Sequence, residues 1–303
     1  MNTDSLQAID SVRLEFSPTA ALVLQGIVAI VVFGVALELR ISDFARLLRE
    51  PRLVATGLAS QLVALPLLTF ALVGLLDPAP SIALGMMMIA ACPGGNMSNV
   101  LTHWARGRTS LSVAMTTISS LAAPLTTPLV FGLLGGLHPA TRGAMREIAL
   151  PYAEIVTAIV FALALPLVLG MALAERRPAL AAQLRGPLKR FGVFVLFAFI
   201  GIALVANKGL FAQPSVAGLL IGLVVVHNAL ALATGYSIAR LLGAGEAERR
   251  AITLETGIHN SALGLMLIFS YFQHLGGMAL IVATWGIWHL VTGGLLARYW
   301  ARR

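Results

Sequence analysis

The chain has 303 residues, of which 58% are hydrophobic and only 11% are charged. About a quarter of the residues of a soluble domain are charged, so this composition excludes an ordinary soluble protein and indicates a polytopic membrane protein. The formal net charge of +8 is then expected in basic cytoplasmic loops rather than at a nucleic-acid interface. A single cysteine, Cys92, excludes an intrachain disulfide and a cysteine-cluster metal site.

The start of the chain is polar, and apolar segments follow it. Residues 1–19 contain one base, Arg13, and lack the basic n-region of a secretory signal, so we expect a short extracytoplasmic tail. Nine apolar segments follow, and most approach the ~20 residues that a spanning helix needs. They lie at roughly 20–38, 53–76, 81–106, 111–134, 148–173, 191–207, 215–241, 249–273 and 278–298.

Lysine and arginine residues are distributed unequally between alternate loops. Of the 21 basic residues, 17 fall in one set of loops and at the C-terminal end, and 4 fall on the other side. Because basic residues accumulate on the cytoplasmic side, we predict an external N-terminus and a cytoplasmic C-terminus. The alternation also supports nine spans, since a missed span would scramble it.

Two apolar segments are interrupted by helix breakers and polar residues. Residues 92–99 read Cys-Pro-Gly-Gly-Asn-Met-Ser-Asn, and residues 255–261 read Glu-Thr-Gly-Ile-His-Asn-Ser. Irregular backbone at membrane depth must be satisfied by protein or by a water-filled cavity. The nine spans divide into four, one and four, and each break lies in the third span of a four-span block. Equivalent spans are five apart, an odd number, so the two blocks have opposite orientations in the membrane. We therefore predict an inverted repeat, about 20–134 and 191–300, with a connector helix at about 148–173 and a binding site at the breaks.

Glu255 is the acidic residue that the sequence places deep inside a span. A small cation is a simple partner for it, and an ion pair with a buried base is the alternative. Ser98, Asn99, Ser112 and Thr116 supply neutral oxygens, which suit Na⁺. Ser112 and Thr116 share one helix face, and the alternative for these hydroxyls is hydrogen bonding between helices.

The breaks also have features of an anion site. Gly94 and Gly95 let the backbone approach a ligand, and Asn96 and Met97 follow at the start of a half-helix, whose N-terminus favours an anion. Asn260 lies at the equivalent position of the second break. Three histidines in apolar segments are either ordinary buried residues or site residues: His227, His259 and His289. We find no nucleotide-binding or hydrolase motif, so nothing indicates an enzyme.

These motifs resemble those of the bile acid:sodium symporter family. Its broken helices carry Cys-Pro-Gly-Gly-x-x-Ser-Asn and Glu-x-Gly-x-Gln-Asn-Ser, and this chain departs from them only at His259. Leu111–Pro128, His227-Asn228 and Trp288-His289 also resemble the family. The resemblance implies an all-α transporter domain over 20–303. Spans 1, 5 and 6 would form a panel domain, and spans 2–4 and 7–9 a core domain in which the two broken helices cross.

The resemblance also implies two sodium sites and a substrate cavity. The first site maps onto Ser98, Asn99, Ser112, Thr116 and Glu255. The second maps onto Gln61, Glu255, the carbonyls of Thr256 and Ile258, and His259. Because an imidazole nitrogen suits softer metals than Na⁺, we expect the second site to be weak or absent. The substrate residues would be Gly95, Asn96, Met97, Asn260 and His289, with Leu290 in place of a family Asn.

The resulting hypothesis is Na⁺-coupled uptake of an organic anion, bile acid-like or a small carboxylate, by alternating access. We expect a monomer in the bacterial inner membrane, with the lipid bilayer and the anion as partners and no nucleic acid. Two alternatives stay open: proton coupling through His259 and Glu255, and a passive channel or sensor on the same scaffold.

Overall fold

The structure is a computed structural model that describes residues 18–37, 51–147, 152–206, 214–272 and 275–303. These ranges are helical apart from short connections and one isolated antiparallel bridge between Gly94 and His259. The helices are α1 Pro18–Ala36, α2 Pro51–Leu76, α3 Pro80–Ala91, α4 Asn96–Trp104, α5 Thr109–Leu137, α6 Pro139–Glu147, α7 Tyr152–Arg176, α8 Pro178–Ala206, α9 Pro214–Leu241, α10 Glu246–Gly257, α11 Ser261–Tyr271 and α12 Gly276–Ala301.

Every predicted apolar segment corresponds to one helix or to an interrupted pair. The third segment is the pair α3 and α4, and the eighth is the pair α10 and α11, with the breaks at the predicted residues. Among the described residues, five helices are long and apolar enough to cross a membrane: α2, α5, residues Ile159–Arg176 of α7, α9 and α12. The all-helical, multi-pass membrane class is confirmed, while the count of nine spans and the inverted repeat stay predictions.

Two helices differ from the sequence prediction. The short segment expected at 191–207 belongs to α8, which begins at Pro178, a favoured residue for the first helical turn. The charged residues before residue 191 interrupt the apolar pattern, so the sequence predicted a later start for this helix. The aliphatic parts of Lys and Arg can lie along apolar surface while their charges reach water, so a helix can include such residues. Helix α6 was not predicted. Most of the predicted 1–19 tail and residues 38–50 lie outside the described residues.

The helices pack in two layers. Helices α1, α7 and α8 pack against one another and form the first layer. In the second layer, α3 lies between α5 and α12, α9 packs on α10, and α4 contacts α5, α10 and α12. The layers meet where α1 and α8 contact α11, where α8 contacts α12, and where α7 contacts α5. The breaks therefore lie near the boundary between the layers.

The two interrupted helices meet at their breaks. The Gly95 N–H donates to the Ile258 carbonyl at 3.0 Å, and the Asn260 N–H donates to the Pro93 carbonyl at 2.9 Å. These bonds satisfy backbone groups that have no partner inside their own half-helix. The approach requires glycine, because a Cβ at Gly95 would lie 2.9 Å from the His259 carbonyl oxygen.

Candidate cation and anion sites

Glu255 lies in the last turn of α10 and is fully buried. Thr116 Oγ1 donates to Glu255 Oε1 at 2.7 Å, and Ser112 Oγ donates to Oε2 at 3.0 Å. The Ser98 hydroxyl also donates to Oε2, and the side-chain oxygen of Asn99 lies 3.2 Å from Thr116 Oγ1. The structure thus brings together all five residues predicted for the first sodium site, from α4, α5 and α10.

This cluster contains more acceptor oxygens than hydroxyl protons. The three hydroxyls carry one proton each, while the Glu255 carboxylate, the Asn99 carbonyl and the hydroxyl lone pairs can all accept. Among the described residues, no ion pair includes Glu255. The alternative interpretation, in which a buried base pairs with Glu255, is therefore not observed in the described part of the chain. An acceptor-rich, buried set of hard oxygens around one carboxylate fits Na⁺ chemically. The assignment of these residues as ligands remains a prediction.

The first break approaches this cluster closely. A Cβ on Gly94 would overlap the Glu255 carboxylate, so the position requires a residue without a side chain. The Gly94 N–H donates to Ser119 Oγ at 3.3 Å, which holds the break against α5. Gly94 is therefore part of the wall of the acidic cluster.

The residues of the second predicted sodium site are arranged differently. His259 Nε2 lies 2.9 Å from the Thr256 carbonyl, and the Ile258 carbonyl accepts the Gly95 N–H at 3.0 Å. Both carbonyls are thus already engaged. Gln61 is fully buried in a π-helical turn of α2, and neither of its side-chain polar atoms has a hydrogen-bond partner among the described residues.

The second ring nitrogen of His259 also faces a carbonyl. Nδ1 lies 2.9 Å from the Cys92 carbonyl, at the C-terminal end of α3, while Nε2 faces Thr256 at the end of α10. Carbonyl oxygens only accept hydrogen bonds, and a neutral imidazole has one N–H. The doubly protonated ring is therefore the form that satisfies both contacts. It would place a cation between two helix C-termini, which favour positive charge, while the burial of the ring opposes that charge.

His227 has a structural environment. Its Nε2 lies 2.7 Å from Thr69 Oγ1, whose own proton is donated to the Leu65 carbonyl at 2.8 Å. The His227 ring also packs against Trp285 with 4.7 Å between centroids. These contacts favour the interpretation of His227 as a buried, hydrogen-bonded residue.

A cavity of about 150 Å³ lies between the two layers, beside the crossing. The starts of α4 and α11 form one wall, and residues of α1 and α8 form the other. All five predicted substrate residues line it: Gly95, Asn96, Met97, Asn260 and His289. Leu290, where the family has Asn, lines it as well.

Two polar residues of the cavity have fixed roles. The Asn260 side chain accepts the Leu263 N–H at 3.1 Å and so caps α11. His289 Nδ1 lies 2.7 Å from the Trp285 carbonyl and must carry a proton to bond it. In a neutral ring, His289 Nε2 is then an acceptor. Lys189 also lines the cavity. It was not predicted as a site residue, because the basic stretch that contains it was expected to be a loop.

Broken helices that cross within an apolar fold, with a buried oxygen cluster and a cavity at the crossing, are features of membrane transporters. A model of the Sodium Bile acid symporter family matches residues 26–214. The chain is 33% identical over 275 residues to "Uncharacterized sodium-dependent transporter YocS" of Bacillus subtilis, covering 90% of this chain and 81% of that protein. The chain therefore belongs to the Sodium Bile acid symporter family, which confirms the resemblance.

Two further relatives come from eukaryotes. The chain is 32% identical over 278 residues to the rice protein named "Probable sodium/metabolite cotransporter BASS1, chloroplastic", covering 90% of this chain but only 64% of that protein. It is 24% identical over 298 residues to the bovine "Sodium-dependent organic anion transporter", covering 92% of this chain and 76% of that protein.

Proposed function

We propose that the protein couples the inward movement of Na⁺ to uptake of a small organic anion by alternating access. The observation that carries this proposal is the Glu255 oxygen cluster next to an anion-favouring cavity at the same helix break. The names of the relatives support Na⁺ as the coupling ion. A transporter of this kind needs no enzymatic chemistry.

Coupling is expected because one short segment contributes to both sites. Gly94 lies against the Glu255 carboxylate, and Ser98 donates to it. Between them, Gly95, Asn96 and Met97 line the cavity. A cation that orders the cluster would also fix the start of α4, and a bound anion would do the same from the other side. Each ligand would therefore favour binding of the other.

The cavity favours a compact anion. Its volume of about 150 Å³ is below the ~300–1,000 Å³ of most ligand pockets, so a small carboxylate fits this cavity better than a steroid acid. The N-terminal ends of α4 and α11 favour negative charge. None of the described residues that line it is acidic.

The proposed arrangement has nine spans, with the N-terminus outside the bacterial inner membrane and the C-terminus in the cytoplasm. The first layer would be the panel and the second the core. The inverted repeats would lie on either side of α7, and a single chain would suffice for transport. The packing of α1 with α7 and α8 supports this division.

A second candidate is coupling to a proton in place of the second Na⁺. The observation that favours it is the position of the His259 ring, with each nitrogen 2.9 Å from a carbonyl oxygen. A protonated ring there would supply the charge that a second sodium ion would otherwise bring. One Na⁺, bound at the Glu255 cluster, is then expected in each cycle.

The test uses purified protein in proteoliposomes. Pyruvate, malate, benzoate and taurocholate are supplied singly, and ²²Na⁺ entry and anion accumulation are measured under an inward Na⁺ gradient. We expect at least one small carboxylate to stimulate ²²Na⁺ entry and to exchange with the same anion inside. Anion flux without exchange or Na⁺ dependence would indicate a channel. Flux driven by an inward proton gradient, with equal Na⁺ on both sides of the membrane, would indicate coupling to a proton.

A further inference from the structure

We infer that Lys189 is the cationic contact for the anionic group of the substrate, and so a specificity-determining residue of the cavity. Lys189 lies on α8 and lines the cavity wall opposite the half-helix starts at Asn96 and Ser261. The inference rests on the proposed function, because it names the group that recognises the charge of the transported anion.

The charges of the lining residues support this role. Among the described residues around the cavity, Lys189 is the one lysine or arginine, and the other ionisable side chains there are His259 and His289. The ends of α4 and α11 supply partial positive charge from the opposite wall. An anion in the cavity would therefore lie between a full charge on one layer and two helix termini on the other.

The packing of α8 explains why Lys189 reaches the cavity. The preceding residue, Leu188, packs against Gly34 of α1. A Cβ added to Gly34 would lie 3.0 Å from the Leu188 Cβ. The Arg185 guanidinium donates to the Leu37 carbonyl at 2.8 Å. These contacts fix the rotation of α8 against α1, and Lys189 and Gly192 then line the cavity one turn apart.

A basic residue near the end of a membrane helix commonly anchors the helix at the lipid headgroups. Lys189 and Arg190 are both exposed, but Arg190 fits that simpler role, since its Nε lies 3.5 Å from the Gly186 carbonyl and it is not part of the cavity lining. Lys189 and Arg190 are adjacent, carry the same charge and differ in whether they line the cavity. They form a matched pair for a test.

The test measures the electrostatic potential in the cavity with small charged thiol reagents. A reporter cysteine replaces Ala262, which lines the cavity, while the native Cys92 is fully buried. The probes are the anionic sulfonatoethyl methanethiosulfonate, itself a small organic anion, and the cationic trimethylammonium-ethyl analogue. The ratio of their reaction rates is compared between the parent, Lys189→Gln, Lys189→Arg and Arg190→Gln, with a protein lacking the reporter as background.

We expect Lys189→Gln to lower the anionic-to-cationic rate ratio about tenfold, because a unit charge near the reporter acts with opposite sign on the two reagents. Lys189→Arg should keep the ratio, and Arg190→Gln should change it less than about twofold, since Arg190 does not line the cavity and water and salt screen its charge from the reporter. An unchanged ratio in Lys189→Gln, or an equal change in Arg190→Gln, would overturn the inference. The assay needs no Na⁺, so its failure is distinct from a failure of Na⁺ coupling.

Discussion

Replacing Glu255 with glutamine removes the charge at the centre of the oxygen cluster while it keeps the shape of the side chain. The wild-type carboxylate accepts hydrogen bonds from Ser98, Ser112 and Thr116 inside a fully buried site. Two unit charges 4 Å apart attract by about 4 kcal/mol at an effective dielectric of ~20. Because 1.4 kcal/mol is tenfold, the variant should bind Na⁺ roughly a thousandfold more weakly.

The same substitution should not unfold the protein. A buried carboxylate loses hydration on folding, and an amide of the same size loses less, so in Na⁺-free buffer the variant should be at least as stable as the wild type. Na⁺ should stabilise only the wild type, by about 2.7 kcal/mol when its concentration is 100 times the dissociation constant. That difference corresponds to several degrees in the melting temperature.

The assay is thermal denaturation of detergent-solubilised protein in NaCl and in KCl at equal ionic strength. Glu246→Gln is a matched control, because Glu246 is on the same helix and its side chain is 47% exposed. The control should keep the Na⁺-specific rise in melting temperature, and Glu255→Gln should lose it. A Glu255→Gln protein that is stabilised by Na⁺ as much as the wild type would refute the assignment of the site.

Three further results are expected. In Na⁺ titrations of uptake, wild type should show a Hill slope near one. His259→Gln, which restores a hard side-chain oxygen, should raise it toward two; an unchanged slope clearly above one in wild type would show that His259 does not replace a sodium ligand. The neutral amide of a transported acid should bind at least about tenfold more weakly than the acid, since each half-helix terminus contributes up to ~2 kcal/mol; equal affinities measured by competition would contradict the anion site. Gly94→Ala should abolish Na⁺-dependent stabilisation because its Cβ overlaps the Glu255 carboxylate, whereas Gly136→Ala, with no atom within 4 Å of the added Cβ, should retain it in the same melting assay.

The oxygen cluster was predictable because the relevant signals are local. Ser112 and Thr116 are four residues apart on one helix, and Ser98 and Asn99 follow directly after a Pro-Gly-Gly break. A carboxylate such as Glu255 in an apolar segment needs polar or cationic partners. Its neighbours could therefore be inferred from the few other polar residues in the apolar segments. The helices other than α6 and the first part of α8 were predictable for a similar reason, since the apolar runs are bounded by charged or helix-breaking residues.

Other features depend on packing, and the sequence contains no local signal for them. Lys189 reaches the cavity only because of the rotation of α8 against α1, and a basic stretch looks the same whether it lies in a loop or in a helix. The two carbonyl contacts of His259 join Cys92 to Thr256, which are far apart in the chain. The buried amide of Gln61 is likewise visible only once α2 is packed.

The mutual hydrogen bonds at the breaks also affect how the protein is made. The Gly95 N–H finds its acceptor on Ile258, and the Pro93 carbonyl finds its donor on Asn260, so more than half of the chain is synthesised between the first break and its partner. At ~5–20 residues per second, the ribosome leaves these polar groups without that partner for on the order of ten seconds. Because each unpaired group costs several kcal/mol in lipid, the newly inserted first half needs water, an insertase or a chaperone at this point until the second half arrives.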